Sequence, residues 1–260
     1  MVKHIEFIGI PGSGKTTLKK LVIEKLKQSD FEVFTFEKAV DRSNMKKLTN
    51  DNCKLKRLFY IIGTRRFSSF FRYTNFQVSA YNEFLLNNTS LVEQVANILN
   101  SKEIGKEGKN AVMGWVFDIF SGHQIINNNL FNNEIVVCDE GFCHRTVAIW
   151  GRDEKYKFDK AEVSKYLSLI PLPQILFFVK APVEKCEERL TNRGYLRILK
   201  GLDHEERVKR LYFIEEIMNY VISILKDKGV KVVYLDNMKD GDFTIPEDII
   251  RETKELLESK

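Results

Sequence analysis

The residues with the most specific chemistry lie near the start of the chain, where Gly9-Ile10-Pro11-Gly12-Ser13-Gly14-Lys15-Thr16 fits the pattern G-x-x-x-x-G-K-[ST]. Glycines at those positions let successive backbone N–H groups curl around phosphate oxygens. A helix beginning at the lysine adds the positive end of its dipole. Lys15 can reach the β- and γ-phosphates of a nucleoside triphosphate, and the Thr16 hydroxyl, followed by Thr17, can ligate Mg²⁺. Four fixed positions match by accident in roughly one chain in a hundred of this length. An apolar strand before the pattern and a helical one after it make accident rarer still, so the chain is read as binding a nucleoside triphosphate, with Gly9, Pro11, Gly12, Ser13, Gly14, Lys15, Thr16 and Thr17 around the phosphates.

Carboxylates and guanidinium groups supply the remaining chemistry. Asp139 follows the apolar run Ile135–Cys138, where a carboxylate can hold Mg²⁺ directly or through water. Glu140 beside it can orient or deprotonate an acceptor hydroxyl, and Glu37 competes for that role from the end of the second strand. Arg145, six residues after Asp139, can bind an acceptor phosphate or the moving γ-phosphoryl group. Arg189 and Arg193 are four apart and share one flank of a helix whose apolar stripe is Val183, Cys186 and Leu190. A solvated helix face is the alternative for Arg189 and Arg193, with Glu184, Glu187 and Glu188 available to pair them, and a surface position the alternative for Arg145. Cys138 and Cys143 lack a second ligand pair, and His123 and His144 stand alone, so no zinc site is expected.

Between Arg42 and Arg72 the sequence carries nine Lys or Arg against Asp51 alone, a larger excess than the +5 of the whole chain. Nine aromatics lie from Phe59 to Phe84, interleaved with Arg65, Arg66 and Arg72. Together they suit a cover that stacks a ring and grips an anionic acceptor. Individually, most of these aromatics are read as packing. A polybasic stretch also attracts membranes and RNA, although the mild overall charge argues against nucleic acid as the main partner.

These groups must be positioned by an alternation of strands and helices. Strands are expected at 4–10, 31–36, 135–138, 175–179 and 230–235. Leu18, Leu21, Val22 and Leu26 give the first helix, ended by Ser29-Asp30. Further helical patterns cover 111–126, 161–170, 182–193, 203–227 and 246–258, and Leu55, Leu58, Phe59 and Ile62 form another stripe. This order implies an α/β fold with a parallel sheet covered on both faces. Residues 41–133, mainly helical, read as an insertion over the carboxyl edge of the sheet, where ligands bind in such folds. A chain of 260 residues with no linker or repeat is expected to form a single domain over 1–260. Apolar runs as short as Ile175–Val179 span no bilayer, and four cysteines with no signal-peptide pattern point to the reducing cytoplasm.

Two families sharing the phosphate pattern lack support. Asn-Lys-x-Asp, which GTPases use for guanine, is absent, as is the Leu-Ser-Gly-Gly-Gln signature of transporter ATPases. Three segments resemble the P-loop nucleoside and nucleotide kinases, especially the thymidylate-kinase-like group: Gly9–Thr17, Val136-Val-Cys-Asp-Glu-Gly-Phe142, and Pro171–Gly194. Where thymidylate kinases carry Glu-Pro-Gly-Gly and Asp-Arg-Tyr, this chain has Phe36-Glu37-Lys38-Ala39 and Asp139-Glu140-Gly141-Phe142. The resemblance implies a P-loop NTPase fold with a five-stranded parallel sheet, helices on both faces and a helical acceptor-binding insertion between strands two and three. It also implies ATP and Mg²⁺ as cofactors and a lid at about 189–203. In that lid Arg189, Arg193 and Arg197 cover the donor and steady the transferred phosphoryl group. Glu37 matches the place where deoxynucleoside kinases keep their base. The implied activity is transfer of a γ-phosphoryl group to a nucleoside or nucleoside monophosphate. The departures keep sugars, sugar phosphates and other metabolites open as acceptors. A slowly hydrolysing nucleotide-dependent regulatory module and a polynucleotide 5′-kinase are the rivals from other classes. The oligomeric state is open, a homodimer included.

Overall fold

Apolar runs at five places along the chain pair side by side in a parallel sheet, with the three inner strands buried on both faces, the two edge strands partly exposed, and helices supplying the crossovers. The computed structural model describes residues 3–50, 75–100, 106–129, 133–153, 155–196, 198–238 and 244–258. Along them run β1 (Lys3–Ile8), α1 (Lys15–Leu26), β2 (Glu32–Thr35), α2 (Phe36–Asn50), α3 (Asn75–Asn87), α4 (Thr89–Asn100), α5 (Lys106–Asn129) and β3 (Glu134–Cys138). After them come α6 (Arg145–Trp150), α7 (Lys160–Leu169), β4 (Ile175–Lys180), α8 (Val183–Arg193), α9 (His204–Asp227), β5 (Lys231–Asp236) and α10 (Glu247–Glu258).

The strand order is β2-β3-β1-β4-β5, all parallel. Ile5 of β1 lies opposite Val137 of β3 on one side and Ile175 of β4 on the other. Alternation then separates two cores. Ile5 and Phe7 face α1 and α10, packing with Val22, Leu26, Ile250 and Leu257. Ile8 faces the opposite layer, with Phe178, Ile214 and Phe120. Phe7 stacks on Phe177 of β4 with ring centroids 4.8 Å apart, and burying each such ring stabilises the fold by about 2 kcal/mol.

Capping explains several boundaries. Asp159 accepts from the N–H groups of Ala161 and Glu162 at 2.8 and 3.2 Å to start α7, and Asp203 accepts from Glu206 at 2.8 Å to start α9. Gly194, at φ +102°, ends α8. The five expected strands fall within a residue or two of the observed ones, and the short helix α6 is additional.

One boundary differs in a way that matters. Helix α2 begins at Phe36, directly after β2, so Glu37 lies in the first turn of a helix and does not end a strand. The Thr35 hydroxyl accepts from the Lys38 N–H at 3.4 Å, and Phe36 and Val40 turn inward against Ala39, Ile126, Val136 and Cys138. An N-terminal cap and an apolar helical face thus override the extended reading of Phe31–Phe36.

The 41–133 stretch is read above as an insertion over the carboxyl edge. Its helix α5 also lines a face of the sheet, bringing Ile119, His123 and Ile126 beside His4, Val136 and Cys138. The stripe Leu55, Leu58, Phe59 and Ile62 lies outside the described residues.

Because β1 is central, with β3 on one side and β4 on the other, the connections leaving their carboxyl ends diverge above it. A crevice opens at such a switch point, and ligands of open α/β sheets bind there. The chain places Gly9–Lys15 after β1 and Asp139–Glu140 after β3 at this point.

Candidate phosphate-binding site at the carboxyl edge

The loop from Gly9 to Gly14 bends sharply between β1 and α1. Gly12 and Gly14 have φ of +85° and +92°, conformations that strain any residue with a Cβ. The Ser13 N–H donates to the Ile10 carbonyl at 3.1 Å and closes the turn. Gly14 is the N-cap of α1 and brings no side-chain cap, so the first N–H groups of that helix meet the loop unsatisfied by any side chain. Ser13 Oγ is buried without a hydrogen-bond partner. Backbone donors at a helix start and an orphaned buried hydroxyl together suit an anion.

Lys15 stands at the same helix start. Its ammonium donates to the carbonyls of Gly9 at 2.6 Å and Ile10 at 3.1 Å. Loss of water around it lowers its pKa to about 8, partly offset by Glu140, Cys186 and Asp139. Arg193, at the exposed end of α8, pushes the same way as burial, so its charge is felt at Lys15.

The loop is held from behind by groups that sequence reasoning missed or assigned elsewhere. Asn237, just past β5, donates through Nδ2 to the Ser13 carbonyl at 2.7 Å. Arg189 donates to the Gly12 carbonyl at 3.3 Å, with its other terminal nitrogen 3.5 Å from the Asn237 carbonyl. Two glutamates of α8 have other partners. Glu187 accepts from Arg207 at 2.9 Å and Tyr195 at 3.0 Å, and Glu184 accepts from Tyr212 at 2.5 Å. Asn237 is 224 residues from Ser13 in the chain, and a lone Asn near a strand end gives no sequence signal.

Across the crevice, Asp139 forms an ion pair with Lys19 of α1 at 2.8 Å, and Glu140 pairs with Arg145 at 3.2 Å. Lys19 carries no signal of its own in the sequence, yet its i+4 position from Lys15 on α1 puts it on the face toward β3. Arg145 lies over the Trp115 ring at 5.4 Å from its centroid. His144, read as isolated, lies within the fields of Lys15 and Arg145. Burial and then those two charges push its pKa well down, keeping the imidazole neutral. Glu37 is exposed, but its charge reaches Cys138, whose thiol is pushed well up by burial, then Glu6, Glu37 and Asp139.

Beneath the Asp139–Cys143 turn, Glu6 of β1 is 1% exposed and accepts from the Cys143 N–H at 2.9 Å. Gly141 packs directly on its carboxylate and leaves no room for a Cβ. Burial raises Glu6 from 4.5 to about 7, against the lowering effect of hydrogen bonds from Cys143 and Phe142 and the charge of Arg145. A small cavity of about 20 Å³, room for a single water, adjoins it between His4, His123, Phe36 and Phe142. His4 and His123 meet edge-on at 6.1 Å, and burial lowers them to about 3 and about 4.

Among the described residues no cluster of three or more His, Cys, Asp or Glu is placed to hold a metal ion. Thr16 and Asp139 are hard oxygen donors beside the loop, a set that suits Mg²⁺ shared with a polyphosphate. Arg65, Arg66, Arg72 and Arg197 lie outside the described residues. Among the described residues, no helix is long and apolar enough to cross a membrane. No protein-family model matches the chain, and no curated protein matches it either.

Proposed function

We propose that this chain is a P-loop phosphotransferase of the reducing cytoplasm that moves the γ-phosphoryl group of ATP to a small acceptor, first a nucleoside or nucleoside monophosphate. The observation that carries the reading is one juxtaposition. The Gly12–Lys15 turn, with helix-start N–H groups and a lysine, opens at the switch point beside the acidic turn Asp139–Glu140.

In this reading the loop amides and Lys15 bind the β- and γ-phosphates and neutralise charge that builds on the bridging oxygen. Thr16 and Asp139 would hold Mg²⁺, which when bound would supply further charge neutralisation. An acceptor oxygen bonds to the γ-phosphorus as the bond to ADP breaks. If the acceptor is a hydroxyl, its proton passes to Glu140 or Glu37. Arg145 and Arg193 offset the negative charge on either side of the transfer, and Lys19 keeps Asp139 in place before nucleotide arrives.

ADP release with ATP and Mg²⁺ against pooled nucleosides, nucleoside monophosphates and sugars tests this. One pool should stimulate turnover, and Lys15→Ala should abolish it while far-UV circular dichroism stays native. Tight ATP binding with no stimulation by any pool would refute the transferase reading and favour a nucleotide-dependent regulatory module.

A further inference from the structure

The proposed chemistry relies on backbone N–H groups of the loop, and what aims those groups lies on the loop's outer side. In a planar trans peptide, the C=O of one residue and the N–H of the next point in opposite directions. A side chain that grips a loop carbonyl from outside therefore turns the following N–H inward. Two successive carbonyls of this loop are gripped from outside. After the first, the Ser13 N–H is already held by the Ile10 carbonyl at 3.1 Å, so the N–H that the grips aim inward is that of Gly14. Arg189 donates to Gly12 O at 3.3 Å, and Asn237 Nδ2 donates to Ser13 O at 2.7 Å.

The second grip is itself anchored. The Asn237 N–H donates to the Lys180 carbonyl at 2.7 Å, tying it to the end of β4 beside β5. The carbonyl of Asn237 lies 3.5 Å from Arg189, so the guanidinium reaches both the loop and its brace. The contact is tight, since a Cβ on Gly14 would collide with the Asn237 amide. The peptide planes held here flank glycines at positive φ, where the backbone is least restricted by its own sterics. Left alone, the Ser13–Gly14 peptide would be free to flip and present its carbonyl to an incoming phosphate.

We infer that Asn237 and Arg189 are positioning residues that set polyphosphate affinity without touching the ligand, by fixing the Gly12 and Ser13 carbonyls outward so that the Ser13–Gly14 and Gly12–Ser13 peptides keep their orientation. This rests on the polyphosphate-binding reading above. It also gives Arg189 a different task from a lid arginine: it acts on the loop before any closure. Asn is suited to the position because it donates to the carbonyl, which an Asp of the same shape cannot do.

The test is binding of N-methylanthraniloyl-ATP with Mg²⁺, with inorganic pyrophosphate as competitor, in the full chain. Asn237→Leu should weaken both ligands by about tenfold, the loss of one partly buried hydrogen bond with its orienting effect. Asn237→Asp should weaken them further, because its carboxylate faces the Ser13 carbonyl. In ligand-free protein the Gly14 amide cross-peak should move in both variants, which a general loss of packing elsewhere would not single out. Arg189→Met, at the neighbouring carbonyl, should weaken pyrophosphate several-fold and serves independently if a position-237 variant fails to fold. Wild-type affinity for pyrophosphate in Asn237→Leu, or an unmoved Gly14 peak, overturns the inference while leaving the binding reading intact. Failure of the wild-type chain to bind either polyphosphate overturns both.

Discussion

Replacing Glu6 by Gln should change how stability depends on pH, with a size that follows from its burial. Glu6 has an ordinary pKa of 4.5 when unfolded and about 7 when folded, chiefly because β1 takes its carboxylate out of water. The folded chain therefore keeps a proton that the unfolded chain releases between those values. Its contribution is fully present below pH 4.5, falls as pH rises, and is lost once pH passes 7. The interval corresponds to about 3 kcal/mol. Gln fills the same space and its carbonyl can still accept from the Cys143 N–H, but it does not titrate. Urea unfolding of both proteins between pH 4 and 8 isolates the group, because other titrations cancel in the difference. Relative to wild type, Glu6→Gln should gain about 3 kcal/mol across that range, a midpoint difference that grows by about 1 M urea. Parallel stability curves would show that the buried carboxylate is not charged against its environment, and would refute the burial argument.

Gly12→Ala places a methyl group against the backbone of Cys186 at a φ of +85° and should destabilise the chain by about 3 kcal/mol, read as a lower urea midpoint, with loss of ATP binding. Arg42→Ala removes the guanidinium 2.9 Å from Glu134, a carboxylate 1% exposed at the start of β3. It should cost about 2 kcal/mol in thermal or urea unfolding while leaving ATP affinity unchanged, because Arg42 acts through the β2–β3 edge and not through the phosphate loop.

The sequence alone determined what is local. The phosphate turn is legible because its glycines and lysine act through φ angles and hydrogen bonds spanning only a few residues, such as Ser13 to Ile10. The strands are legible because β1, β3 and β4 are buried on both faces, which leaves near-continuous apolar runs. Helices α7 and α9 are legible from their helical patterns at 161–170 and 203–227, and in the structure Asp159 and Asp203 cap their starts. Glu37 shows where local reading fails. The run Phe31–Phe36 looks extended throughout, and only the packing of Phe36 and Val40 on Val136 and Cys138 fixes where the helix starts.

The tertiary structure alone decided strand order and every partner across it. Setting β3 and β4 on either side of β1 brings Lys19 to Asp139, Glu6 under the Cys143 turn, and Asn237 onto the phosphate loop. These pairs are separated by 120, 137 and 224 residues. Side-chain periodicity says which face of a strand is buried, but it carries no information about which strand lies alongside. A lysine on a helix or an asparagine after a strand therefore looks ordinary until the sheet closes around it.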